Sequence, residues 1–414
     1  MDIHKILDRQ KATVSNLLKN YDGKLPLHLY LKKYFSENRK HGSRDRKAIT
    51  ELCYAYFRLG ENVNRLQLGS TPLSIPQVLT LAGFISGALS RPDDLLPGAL
   101  KDGPGDAPID RFNQLRQHYT VLGTEALFPF KAKVSEDVDL QALREALLKK
   151  PDLFIRIRPG GGERVLNTLQ TQQVSYQLAG HDTISLLPGT PVNQLLEVNK
   201  DVVIQDISSQ RMATFLEMLL QDRHINDPAG AHKKIKTWDC CAASGGKSLL
   251  VWDVFKKAGQ PVSLTVSDIR PSIVTNLDKR FKEAGITGYR KEILDLLSPE
   301  PLPFINLFDL VLCDAPCTGS GTWGRSPENI LYFDEAAIAA FHKKQTGIAA
   351  KACKAVAPGG YFLYMTCSVF EQENEAVVDF ISSNSGMKLV ASRLITGYTQ
   401  NGDTMFGALF TRRK

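Results

Sequence analysis

The chain has 414 residues, of which 43% are hydrophobic and 23% are charged, a composition typical of globular proteins with more than one domain. It has no uninterrupted run of the roughly 18 apolar residues that a membrane-spanning helix needs, and its first residues lack the apolar segment of a signal peptide. The formal net charge is +7, and residues 1–60 carry all of it, with 13 Lys and Arg against 6 Asp and Glu. These features exclude membrane and exported classes and predict a cytoplasmic protein with no membrane partner.

The N-terminal part of the chain is predicted to be a small helical bundle. Apolar residues recur at helical spacing over 27–35 and again over 49–57. Ser43 is a candidate N-cap for the second of these helices, and Gly60 is a candidate stop. We therefore expect a helical domain over residues 1–135.

The positive charge of this helical domain is densest in the run 38-NRKHGSRDRK-47. Clustered Lys and Arg favour a polyanionic partner such as a nucleic acid. A solvated helix face without any partner is the alternative, and charge by itself does not decide between them.

A connector is predicted between the helical part and the rest of the chain. Residues 91–108 are rich in Pro, Gly and Asp and are predicted to be a loop. Short β-rich runs follow at 153–157 and 183–187, separated by glycine-containing turns. We expect a small α+β connector over residues 136–200.

From residue 201 to 414 strand-like and helix-like segments alternate. Such alternation predicts a mainly parallel sheet covered by helices on both faces, an α/β fold of the Rossmann-like kind. Ligands of these folds bind at the carboxyl ends of the strands. The strand-like runs are 235–241, 262–268, 308–314 and 361–367, and helical stretches include 247–258 and 272–284.

The first of these strands leads into the small-residue loop 239-DCCAASGGKS-248. Such a loop lets the backbone approach a ligand and directs amide groups at it. A phosphate-binding Walker loop would need glycine where Cys241 stands, and the dinucleotide pattern is absent. The remaining interpretation is a nucleoside ligand without pyrophosphate, such as S-adenosylmethionine, with its ribose held by Asp268. Lys247 is either a solvated lysine or a cofactor contact.

Seven cysteines, an odd number, in a long chain without an export signal indicate reduced thiols. Adjacent Cys240 and Cys241 lack the spacing of zinc ligands, and Cys313 and Cys317 lack a second Cys or His pair nearby. We therefore expect no metal site.

Two of the thiols, Cys317 and Cys367, lie just after strand-like runs and are predicted to face one cleft. Carbon 5 of cytosine becomes nucleophilic only after a thiolate adds to carbon 6, and a base must later remove the carbon 5 proton. A pair of thiols suits this chemistry, although either one could attack. Cys53, Cys313 and Cys353 are expected to be core residues.

Several motifs together resemble the RsmB/Sun (Fmu) family of RNA 5-methylcytosine methyltransferases. The resemblance covers most of the chain, including a segment similar to the NusB-like RNA-binding domain of bacterial members. The segments are 42-GSRDRKAITELCYAYFRLG-60 for the NusB-like part, and 203-VIQDISSQ-210, 239-DCCAASGGKS-248, 314-DAPCTGSGTWGRSPE-328, 364-YMTCSVFEQENEAVV-378 and 403-DTMFGALF-410 for the catalytic part.

The resemblance implies a Rossmann-like, S-adenosylmethionine-dependent methyltransferase domain after a helical NusB-like domain and the connector. It implies that Cys367 is the nucleophile, that Cys317 assists product release, and that Asp314 contacts the flipped cytosine or the cofactor. The implied cofactor-binding residues are Cys241, Ala242, Ala243, Ser244, Gly245, Gly246, Lys247, Asp268, Asp295 and Asp314.

The expected substrate is RNA, with ribosomal RNA favoured over transfer RNA, and a monomer is favoured. A catalytically silent RNA-binding assembly factor is one alternative, although such a factor needs neither both thiols nor the glycine loop. A DNA cytosine methyltransferase is another. The sequence departs from the family pattern at Ser244, where proline is usual, at Ile273, where arginine is common, and at Arg158, where asparagine is frequent.

Overall fold

The computed structural model describes residues 3–89, 95, 107–226 and 233–413. The loop predicted over 91–108 lies almost wholly outside these described residues. Within the described ranges, every helix is too short or too polar to cross a bilayer. The chain forms two compact units. The first contains Met1–Lys131, Asp139–Lys150 and Thr322–Glu335, and the second contains Ala132–Val138, Pro151–Gly321 and Ala336–Lys414.

The first unit is helical, as the apolar periodicity predicts. Its core contains Leu31 and Phe35 from one helix and Leu52 and Phe57 from another. The helices are α1 (Ile3–Asn20), α2 (Leu27–Glu37), α3 (Ser43–Arg58), α4 (Asn62–Leu68), α5 (Ile75–Ile85), α6 (Pro108–His118), α7 (Leu140–Leu147) and the short α14 (Asn329–Tyr332). The cap of α3 is Gly42 rather than Ser43, a shift of one residue. The likeness of this unit to NusB stays a prediction.

The segment 322–335 completes the core of the first unit from far along the chain. The rings of Tyr21 and Tyr332 meet edge to face, 5.4 Å apart, and the Leu27 amide donates a 3.0 Å hydrogen bond to the buried Glu328. Buried Arg58 donates to the Gly324 carbonyl oxygen at 2.8 Å. The domain boundaries 1–135, 136–200 and 201–414 stay predictions, and they did not anticipate this return of the chain.

The second unit contains a four-stranded antiparallel sheet, of which three strands lie where the connector was expected and the fourth lies just beyond it. Its strand order is β2-β3-β1-β4. The elements are β1 (Leu153–Ile157), α8 (Gly162–Thr171), β2 (Tyr176–Leu178), β3 (Thr183–Leu186), α9 (Val192–Leu195) and β4 (Val202–Ile204).

Two buried arginines, Arg156 in β1 and Arg158 just after it, explain one departure from the family pattern. Their guanidinium groups bind the carboxylate of buried Asp253 at 2.7 and 2.8 Å, and Arg158 also donates to the carbonyl oxygens of Asn199 and Ala284. A buried charge requires such partners. Arg158 therefore ties this small sheet to the helix that carries Asp253.

A seven-stranded sheet forms the rest of the second unit, with the order β10-β11-β9-β8-β5-β6-β7. The pairs among β5, β6, β7, β8 and β9 are parallel, and β11 pairs antiparallel with β9 and β10. The strands are β5 (Ile235–Asp239), β6 (Val262–Asp268), β7 (Arg290–Ile293), β8 (Phe308–Asp314), β9 (Val356–Thr366), β10 (Met387–Thr396) and β11 (Thr404–Arg412).

The helices of this unit alternate with the strands, which confirms the predicted α/β class. Apolar clusters lie on both faces of the sheet, one including Trp238 and Phe362 and the other Leu310 and Leu363. The helices are α10 (Ile207–Arg211), α11 (Ala213–Asn226), α12 (Gly246–Lys257), α13 (Pro271–Glu283), α15 (Ala336–Ala352) and α16 (Glu375–Asn384). The strand order reverses between β5 and β8, and a crevice for ligands forms at such a reversal.

Candidate active site

The small-residue loop between β5 and α12 turns sharply at the carboxyl edge of the sheet. Ala243 and Gly245 both have positive φ, +44° and +83°, a conformation that favours glycine. A Cβ atom at Gly245 would lie 2.7 Å from the Phe281 ring. Glycine at this position therefore satisfies both the backbone conformation and the close packing of the loop against α13.

Asp239, the last residue of β5, is a buried carboxyl beneath this loop. It accepts a 2.6 Å hydrogen bond from the Ser248 hydroxyl in the first turn of α12. Burial raises the pKa of Asp239 to about 7. The side chain thus links the end of the strand to the start of the helix.

Asp268 lies at the end of β6 with its carboxylate directed at the loop. The Ala243 amide donates to it at 3.0 Å, and the Arg270 guanidinium donates to both oxygens at 2.9 and 3.0 Å. Burial opposes ionisation, but the hydrogen bonds from Arg270 and Ala243 outweigh it and lower the pKa of Asp268. Asp268 is therefore an ionised acceptor beside the loop, and Arg270 is a partner that the sequence argument missed.

Asp295 lies just beyond the neighbouring strand. Ile293 of β7 pairs with Asp268, and the exposed Asp295 accepts a 2.8 Å hydrogen bond from the Leu297 amide. Asp295 therefore lies at the same carboxyl edge of the sheet as Asp268.

Lys247 joins the loop to the neighbouring strand β8. Its ammonium group donates to the Asp314 carboxylate at 3.1 Å and to the Ser209 hydroxyl at 2.9 Å. The Lys247 side chain is only 11% exposed, which argues against a solvated lysine. Lys247 and Asp314 therefore form a partly buried ion pair at the carboxyl edge of the sheet, and Ser209 is a further partner of Lys247.

Three cysteines meet where β5 and β8 run side by side. The sulfur atoms of Cys240, Cys241 and Cys313 all lie within 4.8 Å of one another. Hydrogen bonds from the Cys240 and Cys313 thiols lower the pKa of Cys241 to about 5. The argument against a metal site considered spacing along the chain, and so it missed this grouping across two strands.

Cys317 and Cys367 follow the neighbouring parallel strands β8 and β9, and their sulfur atoms lie 3.3 Å apart. Both side chains are half-buried. The hydrogen bond with Cys367, and then burial, raise the pKa of Cys317 well above its usual value. The raised pKa favours the neutral thiol of Cys317, and either sulfur can be the donor in this contact.

A buried carboxylate, Glu373, holds both thiol-bearing loops. One oxygen accepts from the Thr318 amide and the Gln345 side chain, each at 2.9 Å. The other accepts from the hydroxyl groups of Thr318, at 2.5 Å, and of Ser368. Because Thr318 follows Cys317 and Ser368 follows Cys367, Glu373 fixes the spacing of the two thiols.

Neighbouring polar groups complete this support. Asn374 accepts from the Thr366 hydroxyl at 2.6 Å and donates to the Ser368 carbonyl oxygen at 3.0 Å. The Gly321 amide donates to the Cys367 carbonyl oxygen at 2.9 Å. Sequence reasoning quoted the motif that contains Asn374 and Glu373 but gave neither a role. The sequence signal that could have indicated a role for these two residues was a carboxylate and an amide next to strongly apolar positions.

Much of the second unit is similar to a known protein family. Residues 230–407 match the sequence model of the family described as 16S rRNA methyltransferase RsmB/F. The stretch that carries the small-residue loop and both thiols is therefore similar to the RsmB/F family. The expectation drawn from the motifs is thereby confirmed.

The curated relatives of this chain are ribosomal RNA methyltransferases by name. A probable ribosomal RNA small subunit methyltransferase B of Bacillus subtilis is 28% identical over 48% of this chain and 40% of the relative. A mouse 28S rRNA (cytosine-C(5))-methyltransferase is 32% identical over 41% of this chain and 21% of the relative. An Enterobacter ribosomal RNA small subunit methyltransferase B is 26% identical over 60% and 55%. The chain thus spans less than two thirds of the length of these relatives.

Solved structures share the fold. PH0851 superposes with a TM-score of 0.65 at 18% identity, over the full length of both chains. NSun6 from Pyrococcus horikoshii, solved with SFG, gives 0.55 at 13% identity over 67% of this chain and 94% of its own. These likenesses support the Rossmann-like fold described above.

The thiol pair generates a pH-dependent prediction. Because the contact with Cys367 is the largest cause of the raised pKa of Cys317, Cys367→Ala should lower that pKa and speed the alkylation of Cys317 near neutral pH. Mass spectrometry of iodoacetamide-treated protein, read cysteine by cysteine across a pH series, measures the change. Cys353→Ala, which removes a buried thiol, is the control and should leave the Cys317 profile unchanged. An identical Cys317 profile in wild type and Cys367→Ala would contradict the assigned coupling.

Proposed function

We propose that the chain is an S-adenosylmethionine-dependent RNA (cytosine-5-)-methyltransferase that acts on ribosomal RNA through a covalent cysteine–cytosine adduct. The observation that carries this proposal is the 3.3 Å separation of the Cys317 and Cys367 sulfur atoms at the carboxyl ends of two adjacent parallel strands. A protein that only binds RNA needs no such pair. Methylation of cytosine at carbon 5, in contrast, uses one thiol that adds to carbon 6 and a second group that assists the later release of the product.

We assign the attack to Cys367 and the assisting role to Cys317, as the resemblance of the two motifs implies. The raised pKa of Cys317, caused by its contact with Cys367 and by burial, favours its neutral form and is consistent with this order. Cys367 then adds to carbon 6 of cytosine. Addition makes carbon 5 nucleophilic, and the cofactor supplies a methyl group to it. A base from solvent takes the carbon 5 proton, and the electron pair of that carbon–hydrogen bond expels the Cys367 thiolate and restores the ring. Cys317, protonated and next to the adduct, assists by donating a hydrogen bond to the departing sulfur.

The loop and Asp268 are suited to hold the cofactor. Ala243 and Gly245 adopt positive φ, which bends the backbone around the edge of the sheet, and Asp268 is an ionised carboxylate next to that bend. A carboxylate at the end of the second strand suits the hydroxyl groups of a ribose. NSun6 from Pyrococcus horikoshii, which shares this fold, was solved with SFG. We assign Cys241 to Lys247, Asp268, Asp295 and Asp314 to cofactor binding on this basis.

The ion pair of Lys247 and Asp314 lies between the cofactor loop and the strand that leads to Cys317. Asp314 is partly exposed, and its carboxylate can accept a hydrogen bond from the amino group of a flipped cytosine. Lys247 holds that carboxylate in place. This arrangement supports a contact between Asp314 and the substrate base.

Unit one supplies the charge for binding the RNA backbone. Arg39, Lys40, Arg44 and Lys47 are exposed around the start of α3. His41 is buried there and bonds Asp45 at 2.6 Å, which orders the turn between the basic residues. Phosphate neutralisation by such residues is the sequence-independent part of nucleic-acid binding. The names of the curated relatives favour ribosomal RNA, while the monomeric state and the cytoplasmic location stay predictions.

The two thiols can be separated by trapping the covalent complex. Cys367→Ala should form no adduct, because the attacking sulfur is gone. Cys317→Ala should attack and methylate but release product slowly, so a protein–RNA complex should accumulate. Denaturing gels of each variant with S-adenosylmethionine and ribosomal RNA fragments measure this, with Cys353→Ala as a control that should behave as wild type.

The possible outcomes distinguish the competing functions. An adduct with Cys367→Ala and none with Cys317→Ala would reverse the roles of the thiols. No adduct and no methylation with any ribosomal RNA, but tight RNA binding, would indicate the catalytically silent alternative. Methylation of transfer RNA only would move the proposal to that substrate.

The cofactor assignment has its own test. Asp268→Ala should weaken S-adenosylmethionine binding by about 1.5–3 kcal/mol, the range for hydrogen bonds to a charged group. Isothermal titration calorimetry measures the affinity. Asp278→Ala is a matched control, because this carboxylate also has a basic partner, Lys291, but lies on the outer part of α13. Equal affinities for wild type and Asp268→Ala would refute the ribose contact.

A further inference from the structure

The thiols of Cys240, Cys241 and Cys313 take no part in the bond-forming and bond-breaking steps proposed above, although Cys241 also belongs to the loop assigned to the cofactor. Cys240 and Cys313 are almost fully buried, whereas Cys241 is half-buried. All three are free cysteines, and none is needed for addition to the base or for release of the product. Their convergence therefore calls for a separate explanation.

The three sulfur atoms are spaced as the ligands of one ion. Since each pair is separated by at most 4.8 Å, there is a point that lies within about 2.8 Å of all three sulfur atoms, close to the roughly 2.3 Å of a zinc–thiolate bond. Small side-chain rotations that move each sulfur atom by a few tenths of an ångström close that difference. The partial exposure of Cys241 provides a route for an ion to enter.

The backbone around these thiols is fixed before any ion binds. The Cys240 amide donates to the Leu312 carbonyl oxygen at 2.9 Å across the β5–β8 boundary. The Cys240 carbonyl oxygen accepts from the Ser267 hydroxyl at 3.1 Å, and the Trp238 indole donates to that hydroxyl at 3.0 Å. Cys313 lies within β8 itself. Such a preorganised set of ligands does not have to be ordered by the metal.

From this geometry we propose that Cys240, Cys241 and Cys313 form a three-thiolate site for one soft metal ion of the Zn(II), Cd(II) or Cu(I) class. Sulfur ligands select such ions over Mg(II) and Ca(II), which prefer oxygen. On binding, each sulfur that carries a proton gives it up to solvent as its bond to the metal forms. The ion joins the start of the small-residue loop to β8 and so fastens the two strands on either side of the ligand crevice.

The test uses the full-length chain with both other clustered thiols removed, Cys317→Ala with Cys367→Ala, so that this pair contributes no metal binding. The protein is stripped with a chelator under a phosphine reductant and titrated with Cd(II), whose thiolate charge-transfer band in the ultraviolet reports sulfur ligation. We expect one tightly bound ion per chain. A further Cys313→Ala or Cys240→Ala change should weaken it by more than about 100-fold, beyond the loss caused by removing an outer partner of a ligand.

Three controls keep the result interpretable. Cys353→Ala, in the same background, removes a buried thiol outside the group and should retain the ion. Cys313→Ser keeps the side-chain volume and should also lose tight binding, so that misfolding of the alanine variant is not mistaken for ligand loss; circular dichroism checks each fold. Zn(II) should raise the melting temperature of the background protein but not that of its Cys313→Ser derivative.

The proposal is overturned if the background protein binds no Cd(II) tightly, or if the stoichiometry is the same after Cys240→Ala and Cys313→Ser. Metal binding is read without any methylation assay. The result therefore stands apart from the outcome of the adduct experiment, and either proposal can fail without the other.

Discussion

The candidate site depends on one buried carboxylate, that of Glu373. It is fully buried and accepts four hydrogen bonds, two from Thr318, one from Ser368 and one from Gln345. A buried charge is tolerable only when hydrogen bonds replace its lost hydration. Three of these four hydrogen bonds come from Thr318 and Ser368, which adjoin Cys317 and Cys367. The contacts that satisfy the carboxylate therefore also set the spacing of the two thiols.

The sheet supplies the rest of the geometry. Reversal of the strand order between β5 and β8 brings the small-residue loop, Asp314 and the two thiol loops to the same edge. The loop after β5 turns through residues with positive φ, and Asp268 closes its far side through the Ala243 amide. Cofactor-binding and thiol-bearing segments therefore face one crevice because parallel strands end on the same side.

Much of this was predictable from sequence. Apolar periodicity located the helices and strands to within a few residues, since packing of an element against a core fixes that pattern. β1 has the predicted bounds 153–157, and β8 has the predicted bounds 308–314. The position of Cys317 and Cys367 at strand ends followed from the same pattern, and their catalytic role was predicted from chemistry that calls for a pair.

The remaining features depend on which strands become neighbours, and a linear pattern does not encode that directly. Cys240 and Cys313 are far apart in the chain and meet only because β5 lies beside β8. The sequence argument did not predict the pairing of Arg270 with Asp268, because an arginine two residues after an aspartate reaches that carboxylate only in one particular turn. The segment 322–335 was assigned with its neighbours along the chain, whereas its apolar side chains, such as Leu331, pack in the core of the other unit.

The most direct test of this account measures how fast the adduct forms when the central carboxylate is replaced. In a Cys317→Ala background, where the adduct accumulates, Glu373→Gln is compared with Glu371→Gln, whose side chain faces Lys133 at the surface. The account predicts that Glu373→Gln slows adduct formation about 100-fold, the effect of displacing a reacting group by about 1 Å, with S-adenosylmethionine affinity unchanged. Adduct formation at the same rate in both variants would contradict it.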